Sequence, residues 1–125
     1  MFASGINPIL LFGRYFSEAK KKERSDATAF ALATTSSTLR PSVRMVLLKD
    51  FNEQGFVFYT NLLSKKGREL RHNSYASMCF YWDSLGIQIR IVGSVKQVSD
   101  QEADNYFATR DRKTKLGAWA SKQSY

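Results

Sequence analysis

The sequence predicts a single α+β domain built on a small antiparallel β-barrel with flanking helices. Three observations favour this fold: five short apolar segments have strand length, turns join most of them, and helical patterns lie towards both ends of the chain. With 125 residues, of which 43% are hydrophobic and 14% aromatic, the chain can bury the core of one domain. A closed barrel would also give every strand a partner on both sides. Strands this apolar need such partners, because an exposed apolar edge can pair with another chain.

The N-terminal part has the pattern of an amphipathic helix over about residues 7–22. Asn7 can cap its first turn, and Pro8 suits the first helical position. Apolar side chains recur on one face, at Ile9, Phe12, Phe16 and Ala19. The basic residues at its end are interpreted as a solvated helix end that complements the dipole, in preference to a nucleic-acid patch.

The barrel is predicted for about residues 28–98. Its five strands are expected over residues 28–35, 42–49, 56–60, 75–82 and 86–98. A turn at residues 52–55 joins the second strand to the third, and a helix over residues 65–73, capped by Ser64, follows. In the last strand Gln88 and Arg90 alternate with isoleucines, so we expect them to face solvent, a ligand or a second subunit.

Two helices are predicted after the barrel, over about residues 99–120. Ser99 and Glu102 have the spacing of a capping box for the first of them. The second is expected over residues 115–120. Residues 1–125 are therefore expected to form one domain.

Composition narrows the function classes. The net charge of +8 favours an anionic ligand or partner: a phosphate ester, a nucleic acid or an acidic surface. One cysteine, Cys79, excludes an intrachain disulfide and suggests a reducing compartment; with one histidine it also argues against a zinc site. No apolar run has the length of a membrane span, and no signal-peptide pattern is present. We therefore expect no metal, no membrane contact and a cytoplasmic location.

The segment from Arg44 to Lys66 carries the strongest functional signal. Arg44 and Lys49 lie within an apolar run, where a charge is costly unless it is paired. Hydroxyls and cations cluster after the next strand, at Tyr59, Thr60, Ser64, Lys65 and Lys66. This arrangement favours a phosphorylated ligand held against a sheet. The alternative is an edge strand with protective charges, followed by an ordinary basic helix start.

Four segments of the chain resemble the pyridoxine (pyridoxamine) 5′-phosphate oxidases, flavoenzymes with the FMN-binding split-barrel fold. The segments are NPILLFGRYFSEA at 7–19, RMVLLKDFNEQGFVFYTNLLSKK at 44–66, GIQIRIVGSV at 86–95 and NYFATRDRKTKLGAWASKQS at 105–124. Together they span nearly the whole chain, so the combination is far more specific than one short motif.

The resemblance implies an FMN site. Arg44, Lys65 and Lys66 match residues that meet the FMN phosphate, and Gln88 matches one near the flavin ring. The full set of cofactor positions implied by the resemblance is Arg44, Met45, Val46, Leu47, Leu48, Lys49, Tyr59, Thr60, Ser64, Lys65, Lys66, Gln88, Gln123 and Ser124.

The resemblance also implies a substrate site. Lys49, Tyr106, Arg110 and Thr114 match residues that hold the phosphate of the substrate. The family usually has Ser at the position of Thr114, and the hydroxyl is retained. The implied substrates are pyridoxine 5′-phosphate and pyridoxamine 5′-phosphate, oxidised to pyridoxal 5′-phosphate with O₂ as acceptor and H₂O₂ as product. No residue is nominated as a general base.

Family members are homodimers with the flavin at the subunit interface, and they carry a further C-terminal part that completes both sites. Two alternatives to the oxidase are therefore kept. The first is a flavin-binding module without turnover, whether the chain is a fragment or a natural short form. The second, favoured only by charge and aromatic content, is a nucleic-acid-binding barrel.

Overall fold

The structure, a computed structural model, describes residues 7–60, 64–97 and 119–124; for Thr60 and residues 119–124 it describes the backbone. The elements run in the order α1 (Pro8–Lys22), β1 (Ala29–Thr35), β2 (Pro41–Asn52), β3 (Gly55–Thr60), α2 (Lys65–His72), β4 (Tyr75–Trp82), β5 (Ile87–Gln97) and β6 (Trp119–Ser124). The predicted N-terminal helix is confirmed, with Asn7 Oδ1 accepting a hydrogen bond from Ile9 N at 2.9 Å. The five predicted strands are confirmed to within a few residues.

The strands form a closed antiparallel barrel in the order β1-β2-β3-β6-β5-β4, with β4 pairing back to β1. The sixth strand, β6, fills the gap between β3 and β5: Gln123 pairs with Phe56 on one side and with Val95 on the other.

The helix predicted over residues 115–120 is wrong at its last two positions, because Trp119 and Ala120 belong to β6. Pairing with two open strand edges satisfies the backbone polar groups on both sides of this segment, which outweighs its local helix propensity. The remainder of the predicted helices, residues 99–118, lies outside the described residues.

A β-bulge interrupts β2 at Lys49. Leu48 pairs with Phe58 and Asp50 pairs with Val57, so Lys49 is the extra residue on β2. The extra residue shifts the alternation: Leu48 points into the barrel before the bulge, and Phe51 packs against the core after it. A search for strict alternation of apolar and polar residues cannot reveal such a shift. The predicted strand therefore ends at residue 49, where the alternation breaks.

Aromatic side chains fill one end of the barrel, and α1 covers it. Phe12 lies with its ring centroid 4.8 Å from that of Phe56 and 5.3 Å from that of Phe80, in edge-to-face contacts that aromatic pairs favour. Trp82 is buried in the same cluster, and its Nε1 donates a hydrogen bond to Ala27 O at 3.0 Å. This end of the barrel is therefore closed by packing.

The opposite end of the barrel is polar. The register of β1 and β2 places Thr34 beside Ser42 and Leu32 beside Arg44. The helix α2 lies over this end, with Leu70 in the core and Glu69 buried beside it. The two ends of the barrel thus differ in chemistry: aromatic side chains fill one end, and the ion pair of Arg44 and Glu69 occupies the other.

The end of α1 is fastened to the turn that joins β4 to β5. Glu23 Oε1 accepts hydrogen bonds from Ser84 N at 2.8 Å and from Ser84 Oγ at 2.7 Å. These bonds, led by that from the Ser84 hydroxyl, hold the pKa of Glu23 below its ordinary value of 4.5. The turn ends at Gly86, whose φ of 61° is left-handed and suits glycine.

We expect Glu23→Gln to lower stability at neutral pH and to matter less in acid. Because the folded pKa is depressed, the carboxylate's contribution is complete above the unfolded pKa and is lost as the pH falls through the folded value. Urea unfolding of both proteins between about pH 7 and about pH 3 measures this effect. The matched control is Glu18→Gln, whose ion pair with Lys22 is exposed and contributes little. A stability difference that stays constant across this range would contradict the assignment.

Candidate functional site

Arg44 occupies the polar end of the barrel and is held by three acceptors. Its Nη1 donates to Leu32 O at 2.9 Å and to Thr34 Oγ1 at 2.7 Å, and its Nη2 lies 3.5 Å from Glu69 Oε1. A guanidinium has five N–H donors, and Nε–H and one N–H of Nη2 have no acceptor among the described residues. The side chain is about one quarter exposed, at 23%. Arg44 is thus oriented by the protein while it keeps donors for an anion.

Glu69 is the buried carboxylate beneath this arginine. It is 4% exposed, and it accepts hydrogen bonds from Thr34 Oγ1 at 2.6 Å and from Ser42 Oγ at 3.2 Å. The hydrogen bond from Thr34 is the main cause that lowers the pKa of Glu69, with smaller contributions from Ser42, Lys65 and Arg44. Glu69 is therefore ionised at neutral pH, and its bonds tie α2 to β1 and β2.

The first turn of α2 carries two cations. Ser64 caps the helix, its Oγ accepting from Gly67 N at 3.2 Å, and Lys65 and Lys66 follow directly. Cations at a helix N-terminus oppose the helix dipole, and the first turn of α2 has no acidic residue to offset them. The helix dipole therefore does not account for these lysines, whereas an anionic ligand at the N-terminus would.

Lys66 lies close enough to Arg44 for the two charges to repel. Partial burial lowers the pKa of Lys66, and the charge of Arg44 lowers it further. Because Glu69 offsets only one of these two positive charges, a dianion would stabilise the pair. Arg44, Ser64, Lys65 and Lys66, which the sequence separated by up to 22 residues, thus lie around one polar end of the barrel.

Lys49 and Tyr59 form a second part of the predicted site. The bulge displaces Lys49 from the regular alternation, and its Nζ lies 5.8 Å from the centroid of the Tyr59 ring. Bulges recur beside active sites, where they redirect one side chain. Thr60 follows Tyr59 in β3, and its backbone pairs with Trp119 of β6.

The middle of the predicted cofactor strand is divided between two faces. Val46 and Leu48 point into the barrel core, so their side chains are closed to any ligand and only their backbone is available. Met45 and Leu47 point outwards and are exposed. The regular alternation of β2 explains this division.

The other predicted positions are distributed as follows. Gln88 is exposed on β5, opposite Tyr81 of β4, as expected from its alternation with isoleucines. Gln123 and Ser124 lie in β6, where the backbone of Ser124 pairs with Ser94. The substrate positions Tyr106, Arg110 and Thr114 lie outside the described residues.

Three polar residues of the site were missed by the sequence analysis: Thr34, Ser42 and Glu69. A signal was present for two of them. Thr34 occupies the same face of β1 as Phe30 and Leu32, where a polar side chain needs a partner. Glu69 lies three and four residues after the two lysines of α2, hence on their face of the helix. The partnership itself joins residues 35 positions apart and is visible only in the fold.

Other features of the described residues do not compete with this site. A depression between α1 and the β2–β3 hairpin is lined by Gly13 and Phe51 among others, and it does not gather several basic groups. No group of three or more potential metal ligands occurs in the described part of the chain. Neither described helix is long and apolar enough to cross a membrane.

Comparison with known proteins identifies the family. The sequence profile of a family described as pyridoxamine 5′-phosphate oxidase matches residues 16–125. A pyridoxine/pyridoxamine 5′-phosphate oxidase of Pelagibacter ubique (strain HTCC1062) is 56% identical over 123 residues, which cover 98% of this chain and 59% of that protein. The chain thus spans about three fifths of the length of this curated relative.

Two solved structures share the fold. PhzG from Burkholderia lata 383 has a TM-score of 0.83 at 24% identity, covering 94% of this chain and 76% of that one. A pyridoxamine 5′-phosphate oxidase-related, FMN-binding protein from Nostoc punctiforme has a TM-score of 0.61 at 23% identity, covering 82% and 55%. These likenesses confirm the split-barrel architecture. Because the family profile also matches most of the sequence, the chain belongs to the pyridoxamine 5′-phosphate oxidase family.

Proposed function

We propose that this chain binds FMN and takes part in the oxidation of pyridoxine 5′-phosphate or pyridoxamine 5′-phosphate to pyridoxal 5′-phosphate. O₂ is the electron acceptor and is reduced to H₂O₂; with the amine substrate, water is also consumed and ammonia is released. The observation that carries the proposal is the cluster of Arg44, Lys65 and Lys66 around the start of α2, which keeps a net positive charge beside the carboxylate of Glu69. Family membership gives this cluster its expected ligand, the phosphate of FMN.

The donor set fits a phosphate monoester. Arg44 offers free guanidinium donors, and the capped N-terminus of α2 offers backbone N–H groups. Lys66, with its lowered pKa, regains its proton affinity beside a dianion. The neutral part of FMN would then contact the backbone of residues 45–48, with Tyr59, Thr60, Gln88, Gln123 and Ser124 as the remaining contacts.

When bound, FMN supplies the hydride acceptor and the route of electrons to O₂. The residues of the chain bind and orient. Lys49, redirected by the bulge, would hold the substrate phosphate together with Tyr106, Arg110 and Thr114. Fixing that phosphate sets the distance between the reacting carbon and the flavin, which governs the rate. No side chain is assigned as a general base.

We also propose that two copies form a homodimer. The outer face of β2, β1, β4 and β5 carries a continuous row in which Val43, Ala33, Ser77 and Val92 are neighbours. Val43 and Val92 are 68% and 65% exposed, and Met45 lies beside this row. A row of exposed apolar side chains such as this one is typical of an interaction site.

The placement of Gln88 supports a shared site. It lies on β5, three strand spacings or roughly 14 Å across the sheet from Leu47 on β2. A second copy docked on this face would bring its own Gln88 towards the flavin held by the first copy's β2.

A flavin-binding module without turnover is the second candidate function. The chain spans 59% of the length of the relative described above, so the activity of that whole protein does not follow from a flavin site alone. A nucleic-acid-binding barrel is disfavoured. Phe30, Phe58 and Phe80 are fully buried, so they offer no surface on which bases could stack.

We expect Lys66→Ala to weaken FMN binding by about ten- to a hundredfold, the range of one charge-assisted hydrogen bond. Riboflavin, which has no phosphate, should bind both proteins equally. Quenching of flavin fluorescence measures both affinities. Lys21→Ala is the matched control, because Lys21 is exposed at the far end of α1. An unchanged affinity of Lys66→Ala for FMN would refute the phosphate assignment.

We expect Val43→Asp to convert the protein to monomers, because a charge would be buried in the apolar interface. Sedimentation velocity measures the change. Leu10→Asp, at a residue that is 62% exposed on α1, controls for the added charge and should remain dimeric. A Val43→Asp protein that sediments like the wild type would exclude this face as the interface.

The test of turnover is anaerobic. The FMN-loaded protein is mixed with pyridoxine 5′-phosphate, and the visible absorbance of the flavin is followed. Bleaching is the expected result, since hydride transfer reduces the ring. Bound flavin that remains yellow would favour the module without turnover.

A further inference from the structure

Thr34 and Glu69 form a buried pair to which the proposed function gives no role. Both side chains are almost fully buried, at 1% and 4% exposure, and they are hydrogen-bonded to each other. We propose that Thr34 and Glu69 are positioning residues that hold the Arg44 guanidinium in the orientation required by a phosphate monoester. This inference rests on the proposed function, because it presupposes that Arg44 binds phosphate.

The hydrogen-bond directions support this role. The Thr34 hydroxyl donates its single proton to Glu69 Oε1 at 2.6 Å, so only its lone pairs are left to face Arg44 Nη1 at 2.7 Å. Glu69 thereby fixes the hydroxyl as an acceptor towards the arginine. With this orientation reversed, the hydroxyl proton would face a cation.

The guanidinium is held at both of its terminal nitrogens. Nη1 is fixed by Thr34 Oγ1 and by Leu32 O, and Nη2 lies 3.5 Å from Glu69 Oε1. Because these three acceptors lie in different directions, they block rotation of the planar group about its Nε–Cζ bond. The two remaining donors, described above, consequently point in one fixed direction. Restraining a long side chain before binding removes an entropy cost that the ligand would otherwise meet.

Stability alone is a weak reason for this arrangement. A buried ion pair usually stabilises a fold no better than apolar residues of similar volume. α2 already packs on the barrel through Leu70, which belongs to the core cluster. The second carboxylate oxygen, Oε2, is occupied by Ser42 Oγ at 3.2 Å, so the buried charge is well satisfied while it serves Arg44.

The first test changes no charge. In Thr34→Val the shape is kept but the hydroxyl link between Glu69 and Arg44 is lost, whereas Thr34→Ser keeps the link. We expect Thr34→Val to reduce the ratio of FMN affinity to riboflavin affinity roughly tenfold. Thr34→Ser should keep the ratio of the wild-type protein. A fold defect would weaken both ligands and leave the ratio unchanged, which would overturn the inference.

The second test separates positioning from net charge. If Glu69 acted only through its charge, Glu69→Gln would tighten phosphate binding, because a nearby negative charge is removed. If Glu69 positions Arg44, the same variant lowers the ratio of FMN affinity to riboflavin affinity, and this is the expected result. Glu23→Gln is the matched control: it removes a hydrogen-bonded carboxylate at the other end of the barrel and should leave the ratio unaltered.

A third measurement needs no ligand. In the nuclear magnetic resonance spectrum of the free protein, we expect separate signals for the two Nη groups of Arg44, because rotation of the guanidinium is blocked. The Arg44→Lys variant, in which these signals disappear, assigns them. Thr34→Val should merge or broaden them. Separate signals that persist in Thr34→Val would refute the inference on their own. A wild-type protein with no preference for FMN over riboflavin would instead refute the proposed function, and the inference with it.

Discussion

Closure of the barrel is the constraint on which the rest of this structure depends. Each of the six described strands pairs with a neighbour on both sides, which protects the edges of the described barrel from pairing with another chain. The last gap is filled by β6, which pairs with β3 and β5 and comes from the far end of the described chain. The two ends of this closed wall differ in their chemistry.

One end is closed by aromatic packing and the other by a charge network. At the first, Phe12 of α1 inserts among Phe56, Phe80 and Trp82, so the interior of this end is filled by apolar rings. At the second, Glu69 of α2 is buried against Thr34 and brings a helix N-terminus beside Arg44. The stability of the fold is thus concentrated at the apolar end, and the capacity to bind an anion at the polar end.

The cations at the polar end illustrate a local cost that the fold tolerates. Lysines in the first turn of a helix oppose its dipole, and partial burial further disfavours the charged form of Lys66. The bulge at Lys49 is a similar departure, because it breaks the alternation of β2 to redirect one basic side chain. Such local conflicts, each with a gain if a phosphate binds, are where functional sites are expected.

The sequence by itself determined the elements whose signals are local. Asn7 and Pro8 mark the start of α1, the alternation of isoleucines with Gln88 and Arg90 marks β5, and Ser64 marks the start of α2, because caps and side-chain periods act over a few residues. The resemblance to a family was also legible, since it resides in the order of residues. Tertiary structure alone decided the rest. It made residues 119–120 a strand, because two distant edges needed a partner, and it joined Thr34 to Glu69 across 35 positions, because a buried hydroxyl and a buried carboxylate each needed a hydrogen bond.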